Sequence, residues 1–314
     1  MTGPARRQVA LPLIMAALIA AALAGCSGAG ATAPAVPPPT PGASASGATS
    51  SPPTPAATPG PTAEPTAAES TPQPAGTVRI VYLHHSTGEN VWKGGVPEFI
   101  AAWNAAHGTD YQVTELTYPE TSGGYPWENY PYDYWNLWVK HTGGDQDRGE
   151  LNLDQLAAAY DVIVFKHCFP VSDVGPDSDS DPPSVASSDK TVANYTLQYQ
   201  ALKDRLHEVA QTRFIAWTGP AETEAATNPE SAERARAFFA WVRDTWDEPG
   251  DNIFVWDFRA LETGGGLYLD PSKASAPDDP HPTEAFSRAV APLIGQRIVD
   301  VIEGRGDSGS VTGE

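Results

Sequence analysis

Apolar positions recur in short bursts from residue 78 onward. Five runs stand out, at residues 78–83, 111–117, 161–165, 213–218 and 252–258. Four are near-continuous in apolar residues, and the run at 111–117 alternates. Continuous runs of this length suit strands buried on both faces of a parallel sheet, where neither face is left to water. Between them, apolar residues follow helical spacing over 96–107, 153–160, 190–211, 229–246 and 283–302. Leu197, Leu202, Leu206 and Val209 trace one such stripe, and Phe238, Phe239, Trp241 and Val242 another. Pro229 opens a helix and Gly108 closes one. Five strand–helix alternations predict an α/β fold, a doubly wound, mostly parallel five-stranded sheet over residues 77–305. Residues 306–314 are expected to form a disordered tail.

The N-terminal quarter follows another pattern. Arg6 and Arg7 precede an apolar run over 9–23, which is shorter than the roughly 20 residues that span a bilayer. Basic, apolar and small residues in that order make residues 1–25 a secretory signal. The run closes on Leu23-Ala24-Gly25-Cys26, which resembles the lipobox of bacterial lipoproteins. That resemblance implies a diacylated Cys26 as the mature N-terminus, placing the protein on the extracytoplasmic face of the cell membrane. Thirteen of residues 27–76 are Pro, none is aromatic and Val36 is the one large aliphatic residue. Such a stretch cannot bury enough apolar surface to offset the entropy of ordering. Residues 26–76 are therefore expected to be a disordered stalk reaching roughly 100–150 Å.

Charge narrows the partners. Residues 1–76 hold two Arg and two Glu, so residues 77–314 carry the whole formal charge of −20. Nucleic acid and anionic lipid surfaces are disfavoured, leaving the lipid anchor as the membrane contact. With Cys26 lipidated, Cys168 is the remaining thiol and no intramolecular disulfide forms. A monomer is expected.

Ligands of open α/β sheets bind outside the carboxyl ends of the strands, so the residues after each run carry the chemistry. They are His84-His85-Ser86-Thr87-Gly88, Thr121-Ser122-Gly123-Gly124, Lys166-His167-Cys168, Thr218-Gly219-Pro220 and, past a loop, Asp278-Asp279-Pro280-His281-Pro282. A serine hydroxyl becomes a nucleophile only when an oriented base removes its proton. Ser86 is the candidate nucleophile, His281 the base and Asp278 its orienter. The Ser86 N–H is a candidate oxyanion donor, with Gly124 offering a second. A further cluster at residues 125–141 has seven aromatic residues in seventeen. Its Trp127, Tyr130 and Trp135 are candidate platforms for sugar rings.

Ser after the first strand, Gly after the second and Asp-x-x-His before the last helix resemble the SGNH/GDSL hydrolases. The resemblance spans about residues 78–303. It implies a flavodoxin-like sheet and an esterase or deacylase with the triad Ser86, His281 and Asp278. The chain departs from that pattern in two blocks. His84-His85-Ser86 stands for Gly-Asp-Ser, and Lys166-His167-Cys168-Phe169 stands where Gly-x-Asn-Asp supplies an oxyanion donor, leaving Lys166 as the candidate substitute. The expected substrate is an acylated glycan or a small ester, and no cofactor is implied. Two alternatives stay open. One is a non-catalytic glycan-binding lipoprotein on the same fold. The other is a metal site drawing on His84, His85, His167, Cys168 and His281.

Overall fold

The computed structural model describes residues 76–120 and 127–314. The signal, Cys26 and nearly all of the stalk lie outside the described residues. Among those described, no helix is long and apolar enough to cross a membrane.

Five strands form one all-parallel sheet: β1 (Thr77–His84), β2 (Asp110–Thr117), β3 (Val162–Phe165), β4 (Arg213–Trp217) and β5 (Ile253–Trp256), in the order β2-β1-β3-β4-β5. Strand alternation divides the side chains between two cores. Val81, Leu83, Ile163, Phe165, Phe214 and Val255 point to one face; Ile80, Tyr82, Val164, Ile215, Trp217 and Trp256 point to the other. Helices cover both. On the first face lie α3 (Pro131–Tyr134), α4 (Leu153–Ala159), α5 (Val192–His207) and α6 (Pro229–Trp241). On the second lie α1 (Thr87–Lys93), α2 (Val96–His107), α7 (Phe258–Thr263) and α8 (Glu284–Ile302). The fold is thus α/β and doubly wound, as the apolar pattern predicts. β3 and β5 are buried throughout, whereas β2, an edge strand, buries only Tyr111 fully.

The sequence pattern anticipates these strands within about two residues but misses several short elements. Residues 229–246 are not one α-helix. The chain widens after α6 into a π-helix, Val242–Trp246. A second π-helix, Trp135–Lys140, follows α3. A hairpin of β6 (Ala274–Ala276) and β7 (Asp279–Pro282) precedes α8.

The tail is a correction. Residues 306–314 were expected to be disordered, yet they pack along β5. The Trp256 indole donates to the Thr312 carbonyl at 2.9 Å, the Asp257 N–H to Val311 O at 2.8 Å, and buried Arg297 to Gly306 O at 2.5 Å. The tail supplies acceptors to buried donors that would otherwise lack them, and an unmet buried donor costs about 1–3 kcal/mol.

Candidate active site

The strand order reverses direction between β1 and β3, and a doubly wound sheet opens its crevice at that switch point. Ser86 sits there, in the turn joining β1 to α1. Its backbone angles, φ 48° and ψ −107°, lie close to the first central position of a type II′ turn. The Gly88 N–H closes the turn onto the His85 carbonyl at 2.8 Å. Glycine is the usual occupant of such a position, and a side chain there costs on the order of 1–3 kcal/mol. Helix capping does not explain the serine, because Ser86 makes no side-chain cap bond to α1. Its Oγ is hydrogen-bonded instead to His281 Nε2, across 195 residues of sequence.

The other face of the imidazole corrects the expected triad. His281 Nδ1 donates to Asp279 Oδ1 at 2.6 Å, and the His281 N–H reaches the same oxygen at 3.1 Å. Asp278, the orienter expected from Asp-x-x-His, is exposed, and the carboxylate on the ring is that of Asp279. The reason is the strand. Residues 279 and 281 are two apart on β7 and share a face, while 278 lies outside the strand on the opposite parity. The hydrogen bonds from His281 hold the Asp279 carboxyl below the usual carboxylate range. An ionised carboxylate can only accept, so Nδ1 carries the ring proton and the Nε2 lone pair faces the Ser86 hydroxyl. Phe169 packs edge-on against the imidazole with centroids 5.2 Å apart. The Thr223 hydroxyl pins the hairpin turn through the Pro277 carbonyl.

The residues under the turn are structural supports. Lys166, expected as an oxyanion donor, is 1 % exposed, and its ammonium donates to the His85 carbonyl at 3.1 Å and to Cys168 Sγ at 3.4 Å. It braces the Ser86 turn from below rather than facing a reacting carbonyl. A Cβ on Gly88 would come within 2.6 Å of His84 Cβ and 2.8 Å of Lys166 Cδ, so only glycine lets α1 sit this close to β1 and Lys166. The Ser86 N–H makes no hydrogen bond to a described residue, which leaves it available to an oxyanion. Gly124 lies outside the described residues.

The histidines expected as possible metal ligands face apart. His84 Nε2 donates to Glu115 at 2.8 Å, and His85 Nε2 to the Pro119 carbonyl. His167 is buried among Tyr134, Phe165 and Tyr199, and burial pushes its pKa down to about 3. Among the described residues, no group of three or more His, Cys, Asp or Glu is placed to hold a metal ion.

The aromatic cluster divides. Trp127 and Tyr130 are each 5 % exposed and belong to the first core, so they are not open platforms. Trp135 is partly exposed and rests on Tyr132, with centroids 5.6 Å apart. Buried Asp133 gathers the N–H groups of Glu128, Asn129 and Tyr130 and shapes the start of α3.

Asp279, the type II′ geometry at Ser86 and the support from Lys166 escape sequence reasoning. The one available signal was the i, i+2 spacing of Asp279 and His281, had that segment been read as a strand.

No family model and no curated protein sequence matches the chain. Among solved structures, it is similar to a gut microbial diltiazem-metabolizing enzyme, with 13% sequence identity and a TM-score of 0.42 over 74% of this chain and 48% of that one. The chain spans about half the length of that protein, and a likeness so distant brings no activity to it.

Proposed function

We propose that this protein is a serine hydrolase of ester bonds, an esterase or deacylase that works through Ser86, His281 and Asp279. The observation that carries the reading is the relay itself: a serine in a type II′ turn at the switch point, bonded to an imidazole whose other nitrogen is held by a carboxylate. In this reading Ser86 Oγ attacks the carbonyl carbon of the ester while its proton passes to His281 Nε2. Asp279 stabilises the imidazolium that forms. The Ser86 N–H binds the developing oxyanion. His281 then returns the proton to the departing alcohol, leaving an acyl group on Ser86. Water, deprotonated by the same nitrogen, attacks that acyl ester and releases the acid.

The resemblance to SGNH/GDSL hydrolases supports the same chemistry. We further propose O-acylated glycans as the substrate class. The support is the membrane-tethered location implied by residues 1–76 and a partly exposed Trp135 beyond β2. Hydrolysis of p-nitrophenyl acetate and of acetylated xylan by the wild-type protein and Ser86→Ala is the test. Turnover by the wild type alone is expected, and equal turnover by both proteins overturns the assignment of Ser86.

A further inference from the structure

A cavity lies at the same edge of the sheet, three strands away from the Ser86 turn. Asp257 follows β5 directly and caps α7. With strands about 4.8 Å apart, the cavity stands roughly 14 Å from the Ser86 turn along the edge. It is a half-open cleft of about 160 Å³ lined by Arg236, Arg243, Asp257, Arg259 and Thr263, among others. That volume far exceeds the roughly 10–15 Å³ needed for one water. Three arginines and one carboxylate line it, and Glu233 and Asp244 pair with two of the arginines from outside the lining.

The donors are unequally used. Arg243 donates to Asp244 and, at 3.1 Å, to Asp257, and so neutralises the carboxylate in the lining. It stands in the π-helix Val242–Trp246, and such widened turns frequently occur at functional sites. Arg236 binds Glu233 through Nε and Nη2 only. Arg259 is 6 % exposed; its Nη2 donates to the Leu267 carbonyl at 2.9 Å, while its buried Nε has no partner. The charges around Arg259 are Glu262, Asp257, Arg236 and Glu222. Burial pushes Glu262 up to about 8 and Glu222 up to about 7, which weakens both as counter-ions near neutrality. A buried guanidinium with an open donor is costly unless an acceptor meets it. The planar guanidinium fork matches the oxygens of carboxylates and phosphates.

We propose that this cavity binds a small oxyanion, a carboxylate or phosphate group, between Arg259 and Arg236, with Arg243 paired to Asp257 beside it. Titration calorimetry of the full chain tests this with sodium phosphate and sodium glucuronate as probes, and with glucose and matched sodium chloride as controls. Saturable 1:1 binding of at least one anion is expected, with phosphate alone or glucuronate alone identifying the oxyanion source. Arg236→Gln and Arg259→Met should each weaken it roughly tenfold or more. Arg236 is half-exposed, so Arg236→Gln remains decisive if the Arg259 variant does not fold. Turnover of p-nitrophenyl acetate by Arg236→Gln should equal that of the wild type, which separates this site from the Ser86 reading. Absence of saturable binding of either anion up to about 20 mM, or undiminished binding by Arg236→Gln, overturns the proposal.

Discussion

Replacing Asp279 with asparagine tests the relay at the point where strand geometry and the Asp-x-x-His spacing disagree. The substitution keeps shape and one carbonyl acceptor but removes the charge facing His281 Nδ1, now 2.6 Å from Asp279 Oδ1. In the transition state the imidazole becomes a cation, so the loss falls on the barrier. Two unit charges about 4 Å apart attract by about 1 kcal/mol in bulk water and about 4 kcal/mol near a protein surface. The Asp279 side chain is 50% exposed, so solvent screening discounts the upper value. About 1–3 kcal/mol remains, which corresponds to a roughly 5- to 150-fold fall in kcat. Steady-state kinetics with p-nitrophenyl acetate should give that fall for Asp279→Asn and less than about a twofold change for Asp278→Asn. The reverse order, or equal losses, refutes the assignment of Asp279 as the orienting carboxylate.

Ser86→Gly should abolish turnover while raising stability by about 1 kcal/mol, because glycine adopts the strained turn freely; a fall in the denaturant midpoint contradicts the backbone argument. Deleting residues 306–314 removes acceptors from Trp256, Asp257 and Arg297. At about 1 kcal/mol each, the loss is about 3 kcal/mol, or a drop of roughly 6–12 °C in Tm; an unchanged melting curve would show that the tail is not docked. Glu262 is fully buried, and burial holds its folded-state pKa at about 8. The folded protein therefore keeps a proton that the unfolded chain releases near the ordinary glutamate value, so stability falls as pH rises between those values. Asp133 and Glu222, both pushed up to about 7 by burial, act in the same direction. Melting temperatures taken between pH 5 and pH 9 should decline less for Glu262→Gln than for the wild type, and parallel declines would refute the role of Glu262.

How far the chain could be read depends on the range of the interaction involved. The buried strands were legible because burial on both faces forces continuous apolar runs, as in β3 and β5. The long helices were legible because one buried stripe imposes helical spacing. Ser86 and His281 stood out by residue type and by their place after strand ends. The aromatic cluster was misread in part because composition does not distinguish a ring that fills a core, such as Trp127, from one left at the surface, such as Trp135. The tail was expected to be disordered because its contribution is backbone carbonyls, which carry no sequence signature.

The sequence by itself determined the sheet, its two apolar faces and the sheet edge at which the candidate site residues gather, since each follows from local periodicity and burial. Only the tertiary structure decided that Asp279 rather than Asp278 meets His281, that Ser86 occupies a type II′ turn and that Lys166 lies beneath it. Those outcomes depend on strand parity, a positive φ and one buried donor. Each is set by segments that meet across long sequence separations, which no local pattern records.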